Sequence, residues 1–181
     1  MKLIEHFRDM ALNNAWSNNR LLAACGQLTD AAFAAERVSF FPSLRATLNH
    51  ILIVDWYYLD ALTGGGKGYA IFDEEIPYPK LPDLAKAQRE ADRQLVDFCA
   101  GLRESDLLRR VALDRAERGI REETVASVLP HVFVHQIHHR GQAHAMLSGT
   151  SVKPPQLDEF FLFEDRPATL PELAAIGLSR P

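Results

Sequence analysis

Apolar residues recur at helical spacing in four long stretches of the chain. Leu3, Phe7, Met10, Ala11, Asn14 and Leu21 share one face of a helix over residues 2–24, with Gly26 as its stop. Pro42-Ser43 opens a second helix that runs to about Leu62, and the glycine-rich loop Thr63–Gly68 ends it. A third covers 83–101, led in by Leu81-Pro82-Asp83. The fourth covers 124–148 and stops at Gly149; Pro130, inside it, predicts a kink or a helix start nearby. Between these lie a connection over 29–41, in which Thr29-Asp30 caps a short helix, and a proline-bearing irregular segment over 69–82. Val111, Leu113 and the Glu117-Arg118-Gly119 turn allow a short β-hairpin within 108–123. After Pro154-Pro155 come the apolar Phe160–Phe163 and a last short helix near 170–177. The pattern predicts an all-α fold: a four-helix bundle with irregular loops and a short C-terminal helical extension, residues 1–181 forming one domain.

Composition narrows the class without naming a function. Apolar residues make up 47% of the 181, charged residues 24%, and the net charge is −4, all ordinary for a soluble protein. With no Lys/Arg run, a phosphate-tracking surface for nucleic acid is not expected. Cys25 and Cys99 are far apart and outside any CxxC pair, which suits free buried thiols in a reducing cytoplasm. Neither a signal peptide nor a membrane span is expected, since no apolar run approaches the ~18 residues a span needs. The glycine run at 64–68 lacks the Lys-Ser/Thr of a phosphate loop and reads as a hinge or loop tip.

The chemistry concentrates in His131-Val-Phe-Val-His135-Gln-Ile-His138-His139-Arg140-Gly141-Gln142, which holds four of the seven histidines. His135 and His139 stand one above the other on the fourth helix, a spacing at which two neutral imidazoles can share a divalent cation. With His135 at zero, His139 lies at about +40°, His131 at about −40°, His138 at about −60° and Gln142 at about −20°. Val128 and Met146 flank them on the same stripe. His50, set mid-helix among Leu48, Asn49, Ile51 and Leu52, is the best third donor; the alternative is a hydrogen-bonded core histidine. Val54, Tyr57 and Ala61 share its face. His138, His131, Gln142 and Tyr57 are expected around the ligands or along the pocket. His144 points the opposite way. Three neutral imidazoles with an open position acidify a bound water for hydrolysis, or a thiol for attack on an electrophile. No general base is evident: Gln136 stands where an HExxH zinc helix has glutamate. Asp55 lies about 140° from His50 and is expected to make a structural bond, with Arg140 as the suggested partner.

The same residues resemble a known family. His135-Gln-Ile-His138-His139-Arg140-Gly141-Gln142-Ala-His144-Ala-Met146-Leu147 is similar to the hallmark helix of the DinB family, the DinB/YfiT-like metalloenzymes rather than the lesion-bypass polymerase sharing the name. Asn13–Leu22 is similar to its first helix, Phe40–Asp55 to its second and Pro154–Asp158 to its tail. The resemblance implies a four-helix bundle, often dimeric, whose metal is held by His50, His135 and His139. It also implies thiol-dependent S-transfer, with a low-molecular-weight thiol as co-substrate; many members carry only a hydrolase label, and a non-catalytic binding protein is the remaining alternative. The metal is zinc, nickel, iron or manganese. Val134, Trp56 and Pro42 depart from the pattern, in place of asparagine, arginine and glycine; none is a proposed ligand. Leu129, Phe133, Ile137 and Leu147 give the fourth helix a second apolar face, expected to be buried on its own bundle or in a homodimer. The expected partners are a small-molecule substrate and a second copy of the chain.

Overall fold

Local chemistry starts and stops the helices where the pattern expects. The computed structural model describes residues 2–180. Its long helices are α1 (Leu3–Cys25), α3 (Leu44–Thr63), α4 (Leu81–Gly101) and α5 (Val125–Ser148); α2 (Asp30–Ala34) and α6 (Arg166–Ala175) are short. Thr29, Ser43 and Thr124 cap α2, α3 and α5, each side-chain oxygen accepting from the backbone N–H three residues on. Gly64 ends α3 in the left-handed region, at φ 75°. The hairpin lies between α4 and α5: β1 (Arg110–Asp114) pairs antiparallel with β2 (Ile120–Thr124), from Arg110 opposite Thr124 to Asp114 opposite Ile120.

Three local expectations are corrected. The segment 69–82 is not wholly irregular, because Gly68–Phe72 forms a 3-10 turn packed on α3. The last helix starts at Arg166 rather than near 170; Pro167 sits in its first turn, where the missing N–H costs nothing. Pro130 does not start α5, which runs through it unbroken. Pro130 is on the exposed side, so water can reach the carbonyl that its missing N–H leaves free.

Helix α1 packs on α4 and α3 on α5, while α3–α4 and α1–α5 contacts close the bundle. Its core includes Phe7, Leu21, Leu52, Leu84, Leu95, Leu129 and Leu147. Cys25 and Cys99 are free and buried, and burial pushes both thiols up to about 12, which leaves them unreactive. A satellite cluster of Leu12, Trp16, Phe160 and Leu173 docks the tail. Trp16 Nε1 donates to Glu172 at 2.7 Å, and Arg20 grips the same carboxylate with two nitrogens at 2.7 Å. Among the described residues no helix is long and apolar enough to cross a membrane.

Candidate metal centre

Because α3 and α5 lie side by side, residues 85 apart in sequence meet. His50 on α3 faces His135 and His139 on α5, and one donor atom from each lies within 4.8 Å of the others. The Nε2 atoms of His50 and His135 are 3.1 Å apart. Two nitrogens bound tetrahedrally to one metal at about 2.05 Å would be about 3.3 Å apart, so this pair fits a shared cation. No carboxylate or thiol joins this cluster among the described residues, and an all-imidazole donor set suits zinc and its first-row neighbours.

The surroundings aim and prepare the rings. His139 donates from Nδ1 to Gln142 Oε1 at 2.8 Å, leaving its Nε2 lone pair free, and Gln142 Nε2 donates to His138 Nε2 at 3.1 Å. The Phe41 ring lies against His50, with centroids 4.2 Å apart, and against His139 at 5.5 Å. His135 Nδ1 is buried without a hydrogen-bond partner. Burial first, and repulsion by His139 second, lowers His50 to about 4. The same two causes, with His50 adding to the repulsion, take His135 to about 3. His139 is lowered as well, chiefly by burial. All three rings are therefore neutral at physiological pH, the state in which imidazole binds a metal.

A pocket of about 330 Å3 opens onto His50 and His135. His131 lies along it, its ring 5.3 Å from Tyr58. Tyr57 also lines it, but its hydroxyl is taken up in donating to the Asp114 carbonyl at 2.6 Å. His138 is exposed beside Gln142, outside this pocket. His144 points away, its Nε2 donating to the Pro155 carbonyl at 3.0 Å. The sequence reading missed Phe41, Tyr58, Tyr69, Phe72, Arg115 and Arg118. Phe41 stands in the motif that resembles the family, which was a usable signal. The others converge only because the 68–72 turn and the hairpin fold over α3.

Behind the imidazoles, on the core side of α5, lies a second polar cluster. Asp55 is held by Gln88 Nε2 at 2.7 Å and by Gln136 Nε2, and not by Arg140 as the helical wheel suggests. Arg140 instead donates to Asn14 Oδ1 and, at 3.0 Å, to Asn18 Oδ1, and acts on Asp55 only through its charge. Asp92 accepts from Asn18 at 2.8 Å, Asn14 at 3.1 Å and Gln88 at 3.2 Å. The second apolar face of α5 is also only partly as expected. Leu129, Phe133 and Leu147 are buried in the chain's own bundle, whereas Ile137 is 51% exposed. Helix α5 has α3 on one side and α1 on another, and Val134, Ile137 and Gly141 are left exposed.

The comparisons with known proteins agree with this architecture. The profile of the DinB family matches residues 4–168. "Protein DinB" of Bacillus subtilis (strain 168) is 26% identical over 145 residues, covering 74% of this chain and 80% of that protein. Among solved structures, a DinB-like protein from Bacillus cereus ATCC 10987 superposes with a TM-score of 0.60 at 18% identity. The match spans 78% of this chain and 90% of that one and is a likeness of fold.

Proposed function

The chain belongs to the DinB family, and from that premise we propose that it is a metal-dependent enzyme transferring a thiol to a small electrophile. His50, His135 and His139 are its ligands, and a coordination position stays open toward the pocket. The convergence of three neutral imidazoles, two of which line the pocket, carries this reading. A divalent cation bound there would supply Lewis acidity, lowering the pKa of a thiol or a water in the open position.

Thiol transfer is preferred over hydrolysis because no free carboxylate base lines the pocket among the described residues. Gln136 is turned into the core toward Asp55. Asp114, the only acidic residue lining the pocket among the described residues, is engaged by the N–H groups of Tyr69 and Ala116. A thiol ionises far more readily than water, so its activation depends less on such a base. Hydrolysis keeps one observation in its favour: the neutral His131 ring lines the same pocket and can accept a proton.

Elemental analysis of the purified protein followed by a substrate screen tests the proposal. Metal-dependent consumption of cysteine or glutathione with monobromobimane is the expected result. Turnover of nitrophenyl esters without thiol would replace it with the hydrolase reading. Tight metal binding with no turnover of either would leave a non-catalytic binding protein.

A homodimer is part of the same proposal. Ile137, Leu157 and Phe161 border one groove, and Val134 continues the apolar strip along α5. Sedimentation at micromolar concentration should give twice the chain mass; a monomer would remove this part alone.

A further inference from the structure

The pocket above the imidazoles is positively charged at its mouth, in a protein whose net charge is −4. Arg115 and Arg118 both line it, from just before and from the end of the 3-10 turn that joins β1 to β2. The turn is held in a demanding conformation. Ala116 is the one non-glycine residue at positive φ among the described residues, at 52°, and Gly119 follows at 71°. The Ala116 N–H is fixed by Asp114 Oδ1 at 2.9 Å, and Asp114 Oδ2 accepts from the Tyr69 N–H at 3.2 Å. Both oxygens of the carboxylate that lines the pocket are thus engaged by backbone. The ion pairs among the described residues involve Arg20, Lys80, Arg103, Arg110 and Arg180, and neither of these two arginines. Among the described residues Arg115 is steadied by Tyr58, donating to its hydroxyl at 3.3 Å with the guanidinium 5.9 Å from the ring centre. Its charge reaches inward, since after burial it is the second cause that lowers His131.

The walls between the arginines and the imidazoles are aromatic. Tyr57 and Tyr58 meet edge to face with centroids 4.9 Å apart, and Phe72 lies 5.2 Å from both Tyr57 and Tyr69. A volume of about 330 Å3 is near the small end of ligand pockets. A pocket that carries unpaired guanidinium groups, aromatic walls and neutral metal-binding bases suits a molecule with two unlike ends.

We infer that this pocket selects a small organic carboxylate with a flat apolar body: Arg115 and Arg118 hold the carboxylate at the mouth, Tyr58, Tyr69 and Phe72 flank the body, and the far end meets the histidine cluster. The inference rests on the reading of this pocket as the substrate site, but the anion is held by the hairpin and not by the metal. Arg115 and Arg118 are specificity residues here, remote from the reacting atoms.

Cinnamate and its uncharged analogue cinnamamide, titrated calorimetrically into metal-loaded and metal-stripped protein, test it. Cinnamate should bind about tenfold or more tighter than cinnamamide in both forms, the scale of a charge-assisted contact. Substituting Arg115→Gln and Arg118→Gln together should bring the two affinities within about twofold, while metal content and melting temperature stay as in the parent. Equal binding of the two probes, no detectable binding of either, or a preference that survives the double substitution would overturn the inference. So would a preference confined to the metal-loaded form, because the cation would then be the anion's partner. If the purified protein takes up no metal but the arginine-dependent preference remains, the proposed function fails and this inference stands.

Discussion

Two polar clusters sit about a quarter turn apart on α5 and differ in what burial does for them. His135, which lines the pocket, and His139 face His50; Gln136 and Arg140, one position further along in each case, face the core. In the pocket, burial keeps three bases neutral with no carboxylate among them, so their lone pairs remain available. In the core, Asn14 and Asn18 from α1, Asp55 from α3, Gln88 and Asp92 from α4, and Gln136 and Arg140 from α5 bond to one another. All seven are buried, and together they tie the four long helices at one level. Burial lifts Asp55 to about 7 and Asp92 to about 6, and lowers Arg140 to about 10. The same desolvation therefore yields an open set of ligands on one side and a closed brace on the other. What separates them is whether the partners come from the chain or from outside it.

The contrast breaks most visibly if one cluster is emptied. His135→Ala should lower metal content from about one ion per chain to below about a tenth, because two imidazoles seldom hold a cation. The metal-stripped variant should melt close to the metal-stripped parent, since no protein hydrogen bond other than that to His50 is lost. Elemental analysis and a melting curve on the same sample read both. A large loss of stability without metal would make the histidine cluster a brace as well.

Arg140→Met makes the converse test. The variant keeps much of the side-chain volume but leaves two asparagine carbonyls without their donor and two buried carboxylates without their cation. Removing one member of a buried charged network costs about 3–5 kcal/mol, so urea unfolding should show a loss of that size. Metal content of the folded fraction should not change. If it falls in step with stability, the two clusters are one unit and the comparison does not hold.

The sequence made these two faces unequally legible. The histidine face could be read because i, i+4 spacing is local and His50 stood out as a polar residue among Leu48, Ile51 and Leu52. Helix limits were legible for the same reason: Ser43, Thr124 and Gly64 act within one turn of themselves. The core brace was not legible, because its seven members come from four helices and each alone is an ordinary polar residue. The wheel gave Asp55 the wrong partner because it knows angles on one helix and not which neighbour lies opposite. It misjudged Ile137 likewise, since exposure depends on α1 and α3 leaving that side uncovered. Arg118 reads as a turn residue, and Arg115 carries no signal, until the hairpin is seen folded over α3.

A smaller perturbation sharpens how the open cluster is prepared. Gln142 fixes His139 through Nδ1, and Gln142→Leu removes that contact without touching a ligand atom. Metal affinity should fall about 10–100-fold, with stoichiometry restored at saturation. A competition titration with a metal-binding dye measures the shift. Unchanged affinity would mean that Phe41 alone orients the ring.

A last effect, on the order of a few kcal/mol at about 1.4 kcal/mol per pKa unit, comes from the closed cluster and carries a definite sign. Burial, with Asp92 nearby, raises the folded-state pKa of Asp55 from its ordinary 3.8 to about 7. The native state therefore holds that proton more tightly than the unfolded chain does. The resulting stability is fully present below about 4, declines as pH rises, and is gone above about 7. Asp55→Asn mimics the protonated side chain and lacks this loss. Its amide can also donate to Gln136 Oε1, a buried acceptor with no partner in the parent, once the Gln136 amide is turned over. The three pocket histidines contribute a slope of the opposite sign, because their lowered pKa values cost stability as pH falls below about 6.5. Parent and variant share that slope, so their difference isolates Asp55. Urea unfolding of both metal-stripped proteins between pH 4 and 8 should show the variant gaining on the parent up to about 7 and then holding level. If the variant instead loses ground as pH rises, Asp55 is ionised beside Arg140, and the brace is a salt bridge in place of a neutral hydrogen-bonded lattice.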